Sequence, residues 1–211
     1  EEIKVFLSYL PSHNCEMPPV QPVPSDHIDL GHELIEVLPE SRGGVYDVRD
    51  VIARIVDVNS LFELKKRFGK SILTGLARID GKSTGIIASN PKSQGGAITV
   101  DAIRKATSFL VLCDSFNIPI VFLVDQPGFL IGIDGEKRWA PGRIMNWMNA
   151  LSLCTVPRIA ITMRKNYGQA YLNMGGGRMS DLQACWPMAD LGFMDPKLGV
   201  NVLHQIKEGD D

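Results

Sequence analysis

The sequence predicts an α/β fold, a sheet of largely parallel strands covered by helices, and three observations predict it. Two apolar runs, Ile120-Val121-Phe122-Leu123-Val124 and Arg158-Ile159-Ala160-Ile161-Thr162-Met163, lack the polar alternation of a half-solvated strand, as strands buried on both faces do. Stretches with helical periodicity precede each of them. Upstream, Ile72–Ile79 and Thr84–Ser89 read as two strands joined through Asp80-Gly81, a hairpin signal. The resulting order, β-β-α-β-α-β, is that of a sheet stacked by right-handed crossovers.

Taken in order, residues 1–45 hold six of the thirteen prolines in an acidic context. Proline has no amide donor and biases its predecessor toward extended backbone, so this stretch reads as an extended arm or linker, with Cys15 to Asp26 non-helical. From Tyr46 the signals sharpen. Asp47 can cap a helix that puts Val51, Ile52, Ile55 and Val56 on one face, with Asp50 in the first turn where the helix dipole favours it. The hairpin follows. Its Gly81-Lys82-Ser83 invites a phosphate-loop reading, which fails because five residues separate Gly75 from Gly81 where the motif needs four, and because a strand follows.

Gly95-Gly96 precedes a helix at about Val100–Asp114 with Ala102, Ile103, Ala106, Phe109, Leu110 and Cys113 on one stripe, which is core. The two glycines fit a loop needing positive φ, or backbone that approaches a ligand closely at a helix start. After the strand Ile120–Val124 comes Asp125-Gln126-Pro127-Gly128-Phe129, at the carboxyl edge where open α/β sheets place ligands. Asp125 could equally accept turn N–H groups, and Pro127-Gly128 make a type II turn. A second helix starts at about Pro141, with Ile144, Trp147, Met148 and Leu151 inward. The strand 158–163 leads into Arg164-Lys165-Asn166-Tyr167-Gly168-Gln169-Ala170-Tyr171, a strand, a glycine turn and a helix start that leaves backbone N–H groups free for an anion. Gly175-Gly176-Gly177 stops that helix, and residues 186–196 read as turn, short strand and turn.

Composition bounds the chemistry. At 45% hydrophobic and 22% charged, 211 residues can bury a core. Net charge is −2, with eight acids against one base in residues 1–40 and 16 acids against 21 bases beyond. A mildly basic body suits a phosphate-bearing small molecule and falls short of the clusters nucleic acid needs. Cys15, Cys113, Cys154 and Cys185 are 98, 41 and 31 residues apart with no paired spacing, so neither zinc nor disulfides are expected. With no leader and no unbroken apolar span, a reducing compartment is expected, cytoplasmic or mitochondrial matrix, and no membrane segment.

Five stretches carry a resemblance: Tyr46–Ile52, Phe116–Pro119, Asp125–Phe129, Thr155–Pro157 and Arg164–Gly168. In this order and spacing they resemble the carboxyltransferase (beta) subunits of biotin-dependent acyl-CoA carboxylases, the propionyl-CoA carboxylase type, and specifically their carboxyl-terminal domain. Leu7–Ser12 resembles the segment between that family's two domains.

The resemblance implies a crotonase-like spiral of repeated β-β-α units over residues 46–211, cut short at its carboxyl-terminal end near Gln205, with 1–45 as interdomain arm. It implies a fragment inactive by itself. The family's amino-terminal domain binds acyl-CoA, and this domain would accommodate carboxybiotin from a biotin carboxyl carrier charged by biotin carboxylase, in a homo-oligomer built of dimers. CO2 would pass to the α-carbon of an acyl-CoA, or the same half-reactions would run as decarboxylase or transcarboxylase; a non-catalytic assembly component is the other alternative. The backbone N–H groups of Gln169 and Ala170, after Gly168, would form the oxyanion hole. Gly95, Gly96, Asp125, Pro127, Gly128, Phe129, Tyr167 and Leu172 would form the biotin or acyl pocket, with no metal. No side-chain base is required, in keeping with the lack of a His or carboxylate dyad. Four places depart from the family: Gln169 replaces a common glycine and would distort the hole if positive φ or close packing on the ring were needed there, Gly142-Arg143-Ile144 stands where Arg-His-Gly is common ahead of a helix, Gln126 stands where valine is common, and Leu172, where Asp is common, points to a longer or unusual acyl chain.

Overall fold

Asp80 and Gly81 both take positive φ, 53° and 73°, the left-handed pair that a two-residue primed turn requires. They close a hairpin within a seven-stranded sheet: β1 (Phe62–Leu64), β2 (Ile72–Ile79), β3 (Lys82–Ser89), β4 (Ile120–Gln126), β5 (Arg158–Tyr167), β6 (Leu182–Cys185) and β7 (Asp190–Gly192). This is a computed structural model, and it describes residues 1–23, 33–41 and 43–204. Pro24 to Asp26, expected to be extended, and Gln205, the expected point of truncation, lie outside the described residues. The sheet is mixed: β1, β2 and β3 pair antiparallel, and β3-β4, β4-β5, β5-β6 and β5-β7 pair parallel.

Alternate residues of the strands feed two cores. On one face Ile72, Leu76, Ile87, Phe122 and Val124 pack with the apolar stripes of α4 (Val100–Ser115) and α6 (Ala140–Leu153). On the other, Leu73, Ala77, Ile86, Ala88 and Leu123 pack with Val48, Val51 and Ile52 of α3 (Val48–Ile52). Both faces being covered explains the unbroken apolar runs, and a slip of one residue would exchange the two sets. The cap expected at Asp47 is present, accepting from the Arg49 N–H at 3.1 Å, and the structure adds a second at Thr99, which accepts from the Ala102 N–H at 3.2 Å.

Residues 1–45 are not extended throughout. Glu2–Leu7 form a helix, α1, and Leu34–Val37 a single turn, α2. Phe6 and Leu10 rest on the first core, and Tyr9 is buried within it, its hydroxyl donating to the Ser60 carbonyl. Only the proline-rich part behaves as expected: Val20 pairs antiparallel with Lys82, and the Gln21 N–H donates to the Gly81 carbonyl at 2.9 Å. Two strands, β1 and β6, have no counterpart in the sequence reading. Each is at most four residues long and is defined by a partner far away in the chain.

The strand expected to end at Met163 runs four residues further, to Tyr167. Val124 faces Thr162 while Gln126 faces Asn166, so β5 spends extra residues in a bulge opposite Asp125. Bulges bend a strand and re-aim its side chains. Here the bulge turns Arg164 and Lys165 toward Asp125.

Candidate functional site

The carboxyl ends of β4 and β5 lie side by side, and Asp125 joins them. Its Oδ2 accepts from Arg164 Nε at 3.0 Å and from the Tyr46 hydroxyl at 3.0 Å, and lies 2.9 Å from Arg164 Nη2; its Oδ1 accepts from the Lys165 N–H at 3.2 Å. Arg164 also donates to the carbonyls of Ser41 and Gly44, at 3.1 and 2.8 Å. Asp125 is fully buried, and both of its oxygens are engaged within this cluster. A buried ion pair needs this many bonds to offset its desolvation. Burial, and then the negative Asp125 beside it, push the Tyr46 phenol far above its ordinary range, so it serves as a neutral donor.

Beyond the bulge β5 ends at Gly168, whose φ of 62° and ψ of −150° belong to a region open to glycine alone. The next residues form a short helix, α7 (Gln169–Asn173). Its Tyr171 N–H donates to the Gly168 carbonyl at 3.1 Å, whereas among the described residues the N–H groups of Gln169 and Ala170 have no acceptor, as the first turn of any helix dictates. Gln169 is exposed; Ala170 is fully buried. The positive φ in this turn falls on Gly168 and Gln169 is free of it. A glycine at 169 is therefore not demanded by the backbone, and no distortion arises there from a positive φ.

A groove of about 510 Å³ opens here, lined by Gly168, Gln169, Tyr171 and Leu172 from one side and by Leu191, Gly192 and Phe193 from the other, with Asn166. The sides are tied together where the Gly168 N–H donates to the Gly192 carbonyl at 3.0 Å. No carboxylate or imidazole lines it. Leu172, Leu191 and Phe193 give it apolar walls, Asn166, Gln169 and Tyr171 add neutral polar groups, and the turn at Gly168 adds a main-chain donor.

The remaining expected site residues distribute unevenly. Tyr167 is buried beneath the groove, its hydroxyl donating to Asp190 at 2.8 Å. Gly95 and Gly96 lie in a 3-10 turn over the end of β4, with φ of 62° and 85°; a Cβ on Gly96 would sit 2.7 Å from the Asp125 carbonyl oxygen. Close backbone packing thus explains Gly96 without a ligand. Ile98 pairs with Phe129 and donates to the Gly128 carbonyl at 2.9 Å, while Pro127 is exposed. The groove lined by Gly168 and Leu172 does not take in Gly95, Gly96, Pro127, Gly128 or Phe129.

Sequence reasoning missed Leu191, Gly192 and Phe193 as groove residues, and Gln126, whose Nε2 donates to Asn166 Oδ1 at 2.7 Å behind it. The short strand at 190–192 was legible. Its parallel pairing with Lys165–Tyr167 depends on residues about 25 positions away, which no local signal carries.

The whole chain, residues 1–211, matches the family model described as "Carboxyl transferase domain". It is 36% identical to the carboxyltransferase subunit of propionyl-CoA carboxylase from Haloferax mediterranei, over all of this chain and 42% of that protein. It is also 36% identical to the alpha subunit of methylmalonyl-CoA decarboxylase from Veillonella parvula, again over the full chain and 42% of the relative. Among solved structures, transcarboxylase 12S, determined as a hexamer with methylmalonyl-coenzyme A and methylmalonic acid bound, superimposes with a TM-score of 0.92 at 36% identity, over 99% of this chain and 41% of that one. The mixed sheet is thus the crotonase-like fold. The chain spans about two fifths of the length of these relatives.

Proposed function

The chain belongs to the carboxyl transferase domain family, and from that premise we propose that the whole protein moves CO2 from carboxybiotin to the α-carbon of an acyl-CoA, this chain supplying the biotin side. The observation that carries the reading is the pair of acceptor-free amides at the start of α7, beside a groove lined by no carboxylate or imidazole. Carboxybiotin, when bound, supplies both the CO2 and the nitrogen that takes the substrate's α-proton. The protein's part is to hold and orient. Gly168 fixes the turn, the Gln169 N–H donates to an anionic oxygen presented at the end of the groove, and Leu172, Leu191 and Phe193 exclude water from the ring. The Ala170 N–H is the second donor of the proposed pair and lies behind Gln169. Gly95, Gly96, Pro127, Gly128 and Phe129 form the proposed wall toward the acyl group, over the neighbouring strand end.

The proposed partners are a biotin carboxylase, a biotin carboxyl carrier and an acyl-CoA-binding carboxyltransferase domain, in a homo-oligomer within the cytoplasm or mitochondrial matrix. Because one relative is named a decarboxylase, the same half-reactions running toward release of CO2 form the second reading. The comparisons do not bear out the expectation that the chain alone is inactive.

Turnover of the full-length protein with free biotin and methylmalonyl- or malonyl-type thioesters tests the reading, by loss of the carboxyl group. Gln169 occupies the first position of α7, where proline is tolerated, so Gln169→Pro deletes the donor with little structural cost. Losing one such donor costs about 2.7–4 kcal/mol, or roughly 10²–10³ in rate; Gln169→Ala, which keeps the N–H, retains most activity. Turnover that ignores biotin, or that survives Gln169→Pro intact, refutes the assignment.

A further inference from the structure

Five cations line a groove of about 660 Å³ that shares no residue with the Gly168–Phe193 groove: Arg49, Lys66, Arg67, Lys70 and Lys92. Two of them have counter-ions. Arg49 binds Glu63 through Nε and Nη2, at 2.9 and 2.8 Å, and Asp47 through Nη1 at 2.9 Å, while Lys92 Nζ is 3.3 Å from Asp47. Among the described residues Lys66, Arg67 and Lys70 form no ion pair. Asp47 is the sole carboxylate in the lining and Glu63 neutralises Arg49 from behind it, so the groove keeps a positive excess of three.

The loop that carries these charges is held in place. Gly69 takes a φ of 54°, and a Cβ there would sit 2.8 Å from the Ala102 N, so the loop lies directly on the start of α4. Lys65 Nζ donates to Ser108 at 2.7 Å, Arg104 stacks over Phe68, and the Ile72 N–H donates to the Gly69 carbonyl at 3.1 Å. Like charges fixed together without counter-ions repel, and an anion between them relieves that repulsion.

Arg67 and Lys70 also line an adjoining groove of about 500 Å³ that reaches Thr99 and Val100 at the amino terminus of α4, where the helix dipole favours negative charge. Its carboxylates, Asp101 and Asp134, face Arg138. Two side chains in these linings are more than nine-tenths buried and hold polar atoms with no partner: Ser71 Oγ in the second groove and Asn90 Oδ1 in the first. A buried polar atom left unpaired is costly unless something completes it. A hydroxyl donor beside free lysine and arginine suits a phosphate oxygen, and the Asn90 acceptor suits an N–H or O–H on the same ligand.

We propose that Lys66, Arg67, Lys70 and Ser71 bind the phosphate groups of a small ligand that carries two or more of them. The site is separate from the carboxyltransfer groove. The ligand chemistry is shared by inorganic diphosphate and by the phosphorylated nucleotide end of a coenzyme, and titration calorimetry of this chain with pyrophosphate, ADP and coenzyme A distinguishes them. Saturable one-to-one binding is expected, weakening as salt rises and falling at least about tenfold in the triple variant Lys66→Gln, Arg67→Gln, Lys70→Gln. Ser71→Ala should weaken it severalfold with an unchanged circular dichroism spectrum. Binding of pyrophosphate as tight as that of coenzyme A assigns the site to the diphosphate itself; binding of coenzyme A alone assigns it to the nucleotide end. No binding of any probe at low salt, or binding that the triple variant leaves intact, overturns the proposal, as does a poly-glutamate peptide outcompeting all three, which would mark a protein interface. The assay reads no turnover, so its failure leaves the carboxyltransfer reading untouched.

Discussion

At the scale of single residues, the chemistry turns on which groups are buried and what meets them there. Asp125 and Arg164 are both buried and bonded to each other and to four other groups. Asp125→Ala leaves a guanidinium stranded, and we expect a loss of about 3–5 kcal/mol in denaturant unfolding. Asp125→Leu combined with Arg164→Met should recover much of it. Lys105 presents the opposite case: its ammonium is buried under β2 with one acceptor, the Ile72 carbonyl at 2.9 Å. Desolvation, opposed by the charge of Glu63, lowers its pKa from 10.5 to about 8. Between those values the unfolded chain holds a proton that the folded chain has released, so unfolding takes up a proton and becomes harder as pH rises. Lys105 therefore weighs on stability below pH 8, and the burden lifts as pH climbs from 8 to 10.5, by up to about 3 kcal/mol. Unfolding midpoints at pH 7.5 and pH 10 should differ more in the wild type than in Lys105→Met; equal differences would sink this account.

Among the elements, the hairpin and the bulged strand do the positioning. Gly81 combines a positive φ with contact to the arm, since a Cβ would lie 2.0 Å from the Gln21 carbonyl oxygen. Gly81→Ala should cost about 1–2 kcal/mol in backbone strain and also push the arm off β3. The measurement that separates the two effects is amide exchange at Gln21, whose bond to the Gly81 carbonyl should open faster in the variant. At the far end of β5, Gly168→Ala meets a conformation that only glycine enters freely, and about 1–3 kcal/mol is expected. If the turn carries the reaction, this variant should lose turnover beyond what its stability loss explains.

For the molecule as a whole, the two-faced sheet makes the opening residues part of the core. Tyr9 is buried against Phe62, with ring centroids 6.5 Å apart, and Arg78 stacks 4.1 Å from its ring. Tyr9→Ala should cost about 3–5 kcal/mol, as other large aromatic deletions do, visible as a lower midpoint with an undiminished slope. A linker that merely tethered a domain would show almost no effect. Among the described residues no helix is long and apolar enough to cross a membrane, and the apolar surface of α4 and α6 goes into the first core instead.

Much of this was legible in the chain itself. The turn at Asp80-Gly81, the stripes of α4 and α6 and the cap at Asp47 are short-range matters, set by residues within a few positions of one another. So is the free-amide turn at Gly168, where a strand meets a helix. What the sequence could not disclose depends on distant partners: the continuation of β5 through its bulge, the capture of Asp125 by Arg164 and Tyr46, the helix and buried tyrosine inside a proline-rich arm, and the wall of the groove made by Leu191 to Phe193. Local backbone preference and apolar periodicity act over a few residues and are written in order along the chain. Register, burial of charge and the closing of a groove are decided only when segments far apart in sequence come to share one desolvated space.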